Sequence, residues 1–111
     1  MLLNQLKTSS QTIDFKEVIA YLDEHYDFTP TKFTNGNAVN EAGENNGSCK
    51  VFSFAKLHDL SKEETLSLFG DFYRIDVLKN PNGTDHQNIR NFMELSWAGI
   101  SFEGEALVRK S

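Results

Sequence analysis

Residues 47–60 read GSCKVFSFAKLHDL, and the architecture turns on how this stretch is read. Ser48 suits a helix N-cap, because its hydroxyl can accept a bond from an unpaired first-turn amide. Val51, Phe54, Ala55 and His58 then recur at helical spacing on one face. Phe52 and Leu57 widen that face until only Lys50, Ser53 and Lys56 mark a polar strip. A helix apolar on most sides is buried on most sides. The expectation is a central helix, with Phe54 and His58 inward, that the rest of the domain wraps.

Upstream, Asn35-Gly36 signals a tight turn, and 37–46 reads as a polar loop with one helical turn at Ala38 to Ala42. Thr29 precedes Pro30, which pushes 27–33 towards extended backbone. Asp14 with Glu17 reads as a capping box and Ile13 with Val18 as its hydrophobic staple. Phe15, Val18, Ile19, Leu22 and Tyr26 trace the buried face of that helix. Residues 1–12 are expected to be loosely ordered, with Leu2, Leu3 and Leu6 either forming one amphipathic turn or fraying.

Downstream, Ser61 with Glu64 is a second capping box, opening a helix from Lys62 to about Arg74 with Leu66, Phe69 and Tyr73 inward. Gly70 inside it would cost roughly 1 kcal/mol against Ala, which close packing on another helix would explain. Asp85 is expected to cap a last helix running to about Leu95, with Ile89, Phe92 and Met93 inward. Trp97 reads as a core anchor whose indole N–H needs a partner. Ile100 to Phe102 and Ala106 to Val108 flank Glu103-Gly104 and suggest a short β-hairpin, with a third strand around 32–34. The reading is a single α+β domain over 1–111: helix-rich, about four helices, with a small antiparallel β-hairpin or sheet near the C-terminus.

The 111 residues carry 11 Lys and Arg against 16 Asp and Glu, a net charge of −5. That balance argues against a nucleic-acid binder, which needs a basic footprint, and against docking on anionic lipid. Nine Phe, three Tyr and one Trp supply a core without staples, and one Cys can form no internal disulfide. No apolar run has the length of a membrane span. The N-terminus lacks the order of a secretory signal but is rich in Ser, Thr, Asn and Gln, as many type III secretion leaders are.

Two groups of residues have the chemistry of a site. Gly47 to Lys50 open the central helix, where free amides and the helix dipole favour an anion; Asn45, Ser48 and Lys50 are the ligand-binding candidates there. Cys49 in that turn is a candidate nucleophile. Of the histidines, His25 is expected on the surface and His58 lies over two turns from Cys49, which leaves His86, beside Asp85, as its partner. Asp71, Arg74, Asp76, Thr84, Asp85, His86, Asn88 and Arg90 make a second polar block that would form the floor of a pocket for a polar ligand or a carboxylate–histidine metal site, with Asp71, Arg74, Asp85 and Arg90 as its ligand-binding candidates. Caps and ion pairs holding the loop 75–84 explain the same residues structurally. No two-His ligand spacing is present, so no metal is expected, and no cofactor.

TPTKFTNG (29–36), NGSCKVFSFAKLHDL (46–60), LFGDFYR (68–74), NPNGTDHQNIRNFM (80–93) and WAGISFEGEAL (97–107) follow one another in order. Together they resemble the HopJ type III effector family, over roughly residues 13–108. Asn46 stands where that family usually has an acidic residue, and Ser96 where a Gly usually precedes Trp97. The resemblance implies a small effector-like bacterial protein, cytoplasmic or secreted by a type III system, and brings no biochemical activity with it. Two function classes follow. One is a binding or interaction module for a small polar ligand or a host or bacterial partner protein. The other is a hydrolase or transferase using Cys49 and His86.

Overall fold

The computed structural model describes residues 2–8 and 12–110. The elements, in order, are α1 (Leu2–Thr8), α2 (Phe15–His25), β1 (Tyr26–Phe28), β2 (Phe33–Asn35), β3 (Ala38–Asn40), α3 (Asn46–Leu57) and α4 (Lys62–Ser67). A π-helical turn (Phe72–Val77), α5 (Gln87–Leu95), a 3-10 turn (Ser96–Gly99), β4 (Ile100–Phe102) and β5 (Leu107–Arg109) complete the chain. The α+β class and the small antiparallel sheets are as expected.

α3 is the centre. Cys49, Val51, Phe52, Ser53, Phe54 and Ala55 are all buried along it. Phe52 meets Phe33, Phe69 and Phe92 with ring centroids 6.1, 5.4 and 5.0 Å away, and each fully buried ring contributes roughly 1.5–3 kcal/mol. The helix begins at Asn46, so Ser48 lies inside its first turn and is not the cap. Leu57, expected to be apolar cover, is 56% exposed, whereas Ser53 of the expected polar strip is buried. His58 sits just past the helix, half-buried, and its Nε2 bonds the Tyr26 hydroxyl at 2.8 Å.

Of the two alternatives for the first residues, the amphipathic one is found and extends to the helix Leu2–Thr8, with Leu2 and Leu6 reaching the core. The polar run at residues 9–11 lies outside the described residues. Asp14 caps α2, but through Lys16 N–H at 3.4 Å and not through the capping box with Glu17. Ser61 and Glu64 do form the reciprocal capping box.

The expected helix to Arg74 stops short at Ser67. Gly70 is the reason: it adopts φ +60°, and a Cβ there would stand 2.9 Å from Phe15 N and 3.1 Å from Ile13 O. The glycine serves a break packed against the start of α2, not a helix interior. Where a helical turn is expected at Ala38 to Ala42, Ala38–Asn40 is strand β3 and Ala42 lies in the turn after it. Gly36, at φ +63°, supplies the positive φ that lets the two-residue loop 36–37 fold β3 back on β2.

No hairpin forms around Glu103-Gly104. β4 pairs with β2 (Phe33↔Phe102, Asn35↔Ile100) and β5 pairs with β1 (Tyr26↔Arg109, Phe28↔Leu107). Every step along 26–35 is matched by one step back along 100–109, so both ladders share one register. Between them Thr29 N–H donates to Ala106 O at 2.8 Å and Glu103 N–H to Lys32 O at 3.0 Å. Pro30 has no N–H to give at the interruption. Glu103-Gly104 is therefore a gap in a ribbon, opposite 31–32, and not a turn. Strand order is β3-β2-β4 in one sheet and β1-β5 in the other.

Candidate functional site

Two helices start at the same place. α3 begins after Asn45 and α5 after His86, and both residues are in left-handed conformation (φ 50° and 51°) with no side-chain cap bond. Left-handed backbone costs a non-glycine residue of order 1–3 kcal/mol and clusters at functional positions. The Asp85 cap expected for α5 is not made: Asp85 Oδ1 accepts from Arg90 Nη2 at 2.7 Å. Among the described residues, the N–H groups of Gly47, Ser48, Gln87 and Asn88 have no protein acceptor.

Both starts open into a cleft of about 520 Å³. One wall is aromatic, formed by Phe15, Phe69 and Phe72. Phe15 stacks 6.1 Å from Phe69 and tilts 5.0 Å from Phe72. Gly47 permits that wall, since a Cβ there would stand 2.8 Å from Phe15 Cζ. Val39 and Phe72 are exposed at 56% and 39% and line the same opening.

The floor is carboxamide. Asn88 Oδ1 accepts from Asn35 and Asn40, each at 3.2 Å, and Asn88 Nδ2 donates to Asn40 Oδ1 at 3.0 Å. Asn45 Nδ2 donates to Asn40 Oδ1 at 2.6 Å, and Asn91 Nδ2 to Asn35 O at 2.8 Å. Asn35, Asn40, Asn88 and Asn91 are all buried. Asn35 Oδ1 has no partner, although buried polar atoms are ordinarily satisfied.

His86 lines the cleft, with Nε2 3.0 Å from Asp76 Oδ2 and 3.8 Å from Asp85 Oδ2. The Phe72 ring lies 5.0 Å away at 31°. The π-helical turn, with Leu78 N–H bonded to Tyr73 O at 3.0 Å, carries both Phe72 and Asp76. Such turns recur at functional sites. Among the described residues no group of three or more His, Cys, Asp and Glu is arranged to hold a metal.

The residues singled out in the sequence divide. Asn45, Ser48 and His86 line the cleft. Cys49 does not: it is 1% exposed, and its Sγ lies 3.7 Å from Thr31 O. Burial pushes its thiol pKa up. Lys50 turns to Asp23 (2.8 Å) and lies 5.0 Å from the Phe28 ring centre. Asp71 pairs with Arg74 at 3.3 Å, and Arg74 Nη2 donates to Ile13 O at 2.6 Å. Arg90 holds the 75–84 loop through Asn80 O at 2.9 Å and also bonds Asp85 O at 2.6 Å. The Arg90 hydrogen bond holds the Asp85 carboxyl below its usual range. Asp71, Arg74, Asp85 and Arg90 are thus ties between segments. Asp76 and Asn88 of the polar block do belong to the site, Asn88 in its lining and Asp76 on His86; Asn40 and Phe72 carried no sequence signal beyond the density of Asn around the two helix starts.

Residues 1–107 match the family described as HopJ type III effector protein. A crystal structure described as that of unknown function protein VPA0580 is 55% identical, with a TM-score of 0.96, over 97% of this chain and 90% of that one. Among curated proteins no sequence matches.

Proposed function

The chain belongs to the HopJ type III effector protein family, and from that premise we propose that it is a binding module taking a small polar ligand in the cleft between the starts of α3 and α5. The observation that carries this reading is the convergence, in one cleft, of unbonded amides, a buried carboxamide floor and an aromatic wall. Unbonded N–H groups select ligand oxygens. The carboxamides give and accept in fixed directions, and the wall takes an apolar part of the ligand. Binding is preferred to chemistry at Cys49 because that thiol is buried and away from the cleft lining. Secretion by a type III system is the expectation that the family description supports. No helix among the described residues is long and apolar enough to cross a membrane.

Titration with acetate, inorganic phosphate and acetamide, followed by amide NMR, tests the reading. Saturable shifts at Gly47, Ser48, Gln87 and Asn88 are expected. Shifts confined to other surfaces would defeat it.

A further inference from the structure

The Asp76–His86 pair says what the ligand must present. A carboxylate only accepts, so the 3.0 Å contact requires Nε2 of His86 to carry the proton. A neutral imidazole protonated at Nε2 is an acceptor at Nδ1. Among the described residues Nδ1 has no protein partner, and His86 lines the cleft.

The ring is held from several sides. Phe72 covers it at 5.0 Å, and the left-handed backbone of His86 fixes its point of attachment. Asp76 is anchored in turn, its carbonyl accepting from Asn80 Nδ2 at 3.2 Å and Arg90 Nη2 at 3.5 Å. Such outer partners commonly set the tautomer and direction of a working histidine.

Building on the cleft reading above, we propose that Asp76 is a positioning residue that makes Nδ1 of His86 a fixed acceptor in the cleft, so that the ligand carries an O–H or N–H donor beside the oxygens that meet the helix amides. Small hydroxy acids and primary amides belong to that class; simple carboxylates do not.

The experiment has two arms on the intact chain. In the first, ¹⁵N NMR of the histidines at neutral pH reads the tautomer without any ligand. Wild type is expected to show His86 protonated at Nε2 and bare at Nδ1, while Asp76→Ala, with no acceptor at that place, shows mixed tautomers. A proton on both nitrogens, or on Nδ1 alone, overturns the proposal.

In the second arm, glycolate and acetate are titrated against the Gly47 and Gln87 amides. Glycolate is expected to bind about 5- to 10-fold more tightly, the range of one neutral hydrogen bond. His86→Ala should abolish that preference and Asp76→Ala should weaken it. Equal affinity for the two probes overturns this proposal and leaves the cleft standing. No shift with either probe removes the cleft reading and this proposal with it.

Discussion

Two pairs of helix starts are finished in different ways. α2 and α4 are closed by their own side chains: Asp14 accepts from Lys16 N–H, and Ser61 and Glu64 cap each other reciprocally. α3 and α5 follow left-handed residues, Asn45 and His86, whose side chains cap nothing and bond Asn40 and Asp76 instead. The two open starts meet in one cleft, to which the capped start of α2 contributes only the Phe15 ring. Local sequence signals complete a helix where only stability is at stake. Where amides are left open, the neighbouring side chains are occupied in building walls and a floor.

The largest effect should come from the floor of the open region. Asn88→Ala leaves the buried amides of Asn35 and Asn40 short of partners and should cost about 2–3 kcal/mol in urea unfolding. A cost under about 1 kcal/mol would mean that water replaces Asn88 and that the floor is not fixed.

Gly70→Ala probes the closed region, where the break packs on the start of α2. It should cost about 2 kcal/mol, from the left-handed backbone and the clash with Phe15 N. In a helix interior the same change would stabilise by roughly 1 kcal/mol, so the sign alone decides.

Ser61→Ala should cost about 1 kcal/mol by thermal or urea denaturation, the usual value of a lost cap. Asn45→Gly should cost no more than a few tenths, because no cap bond is lost and glycine's ease in left-handed backbone offsets the lost bond to Asn40. Equal losses at the two sites would erase the distinction between closed and open starts.

Ser96→Gly should stabilise by up to about 1 kcal/mol, because Ser96 sits at φ 54°, ψ −147°, a region suited to glycine. A lower melting temperature would show that the hydroxyl compensates the strain.

The smallest effect is pH dependence far from the cleft. Burial, then the nearby Arg109 charge, lowers the His58 pKa. The unfolded chain therefore binds a proton more readily. The contribution of neutral His58 is present above about pH 6.5 and lost as pH falls below it, through the folded value. Urea midpoints from pH 7.5 to 5.5 should fall more for wild type than for His58→Gln; parallel curves would remove His58 from the account.

Much of the fold was legible in local signals. The apolar spacing of 51–55, the Ser61–Glu64 box, the Asn35-Gly36 turn and the need of the Trp97 indole, met by Leu60 O at 3.1 Å, are all short-range instructions. Within the site, Ser48, Asn45 and His86 were legible as residues near helix starts.

Sequence by itself determined the buried central helix, the two side-chain-capped helices and which segments are extended, because periodicity, caps and Pro30 act on backbone within a few residues. Tertiary structure alone decided the partners. Residues 100–109 pair with 26–35 and not with themselves, since one continuous register offers a ladder that a four-residue turn does not. Likewise it took packing to turn Cys49 inward, to break a helix at Gly70 against Phe15, and to set Asp76 beside His86. Those contacts join residues far apart in the chain or on a π-helical turn, and no local spacing encodes them.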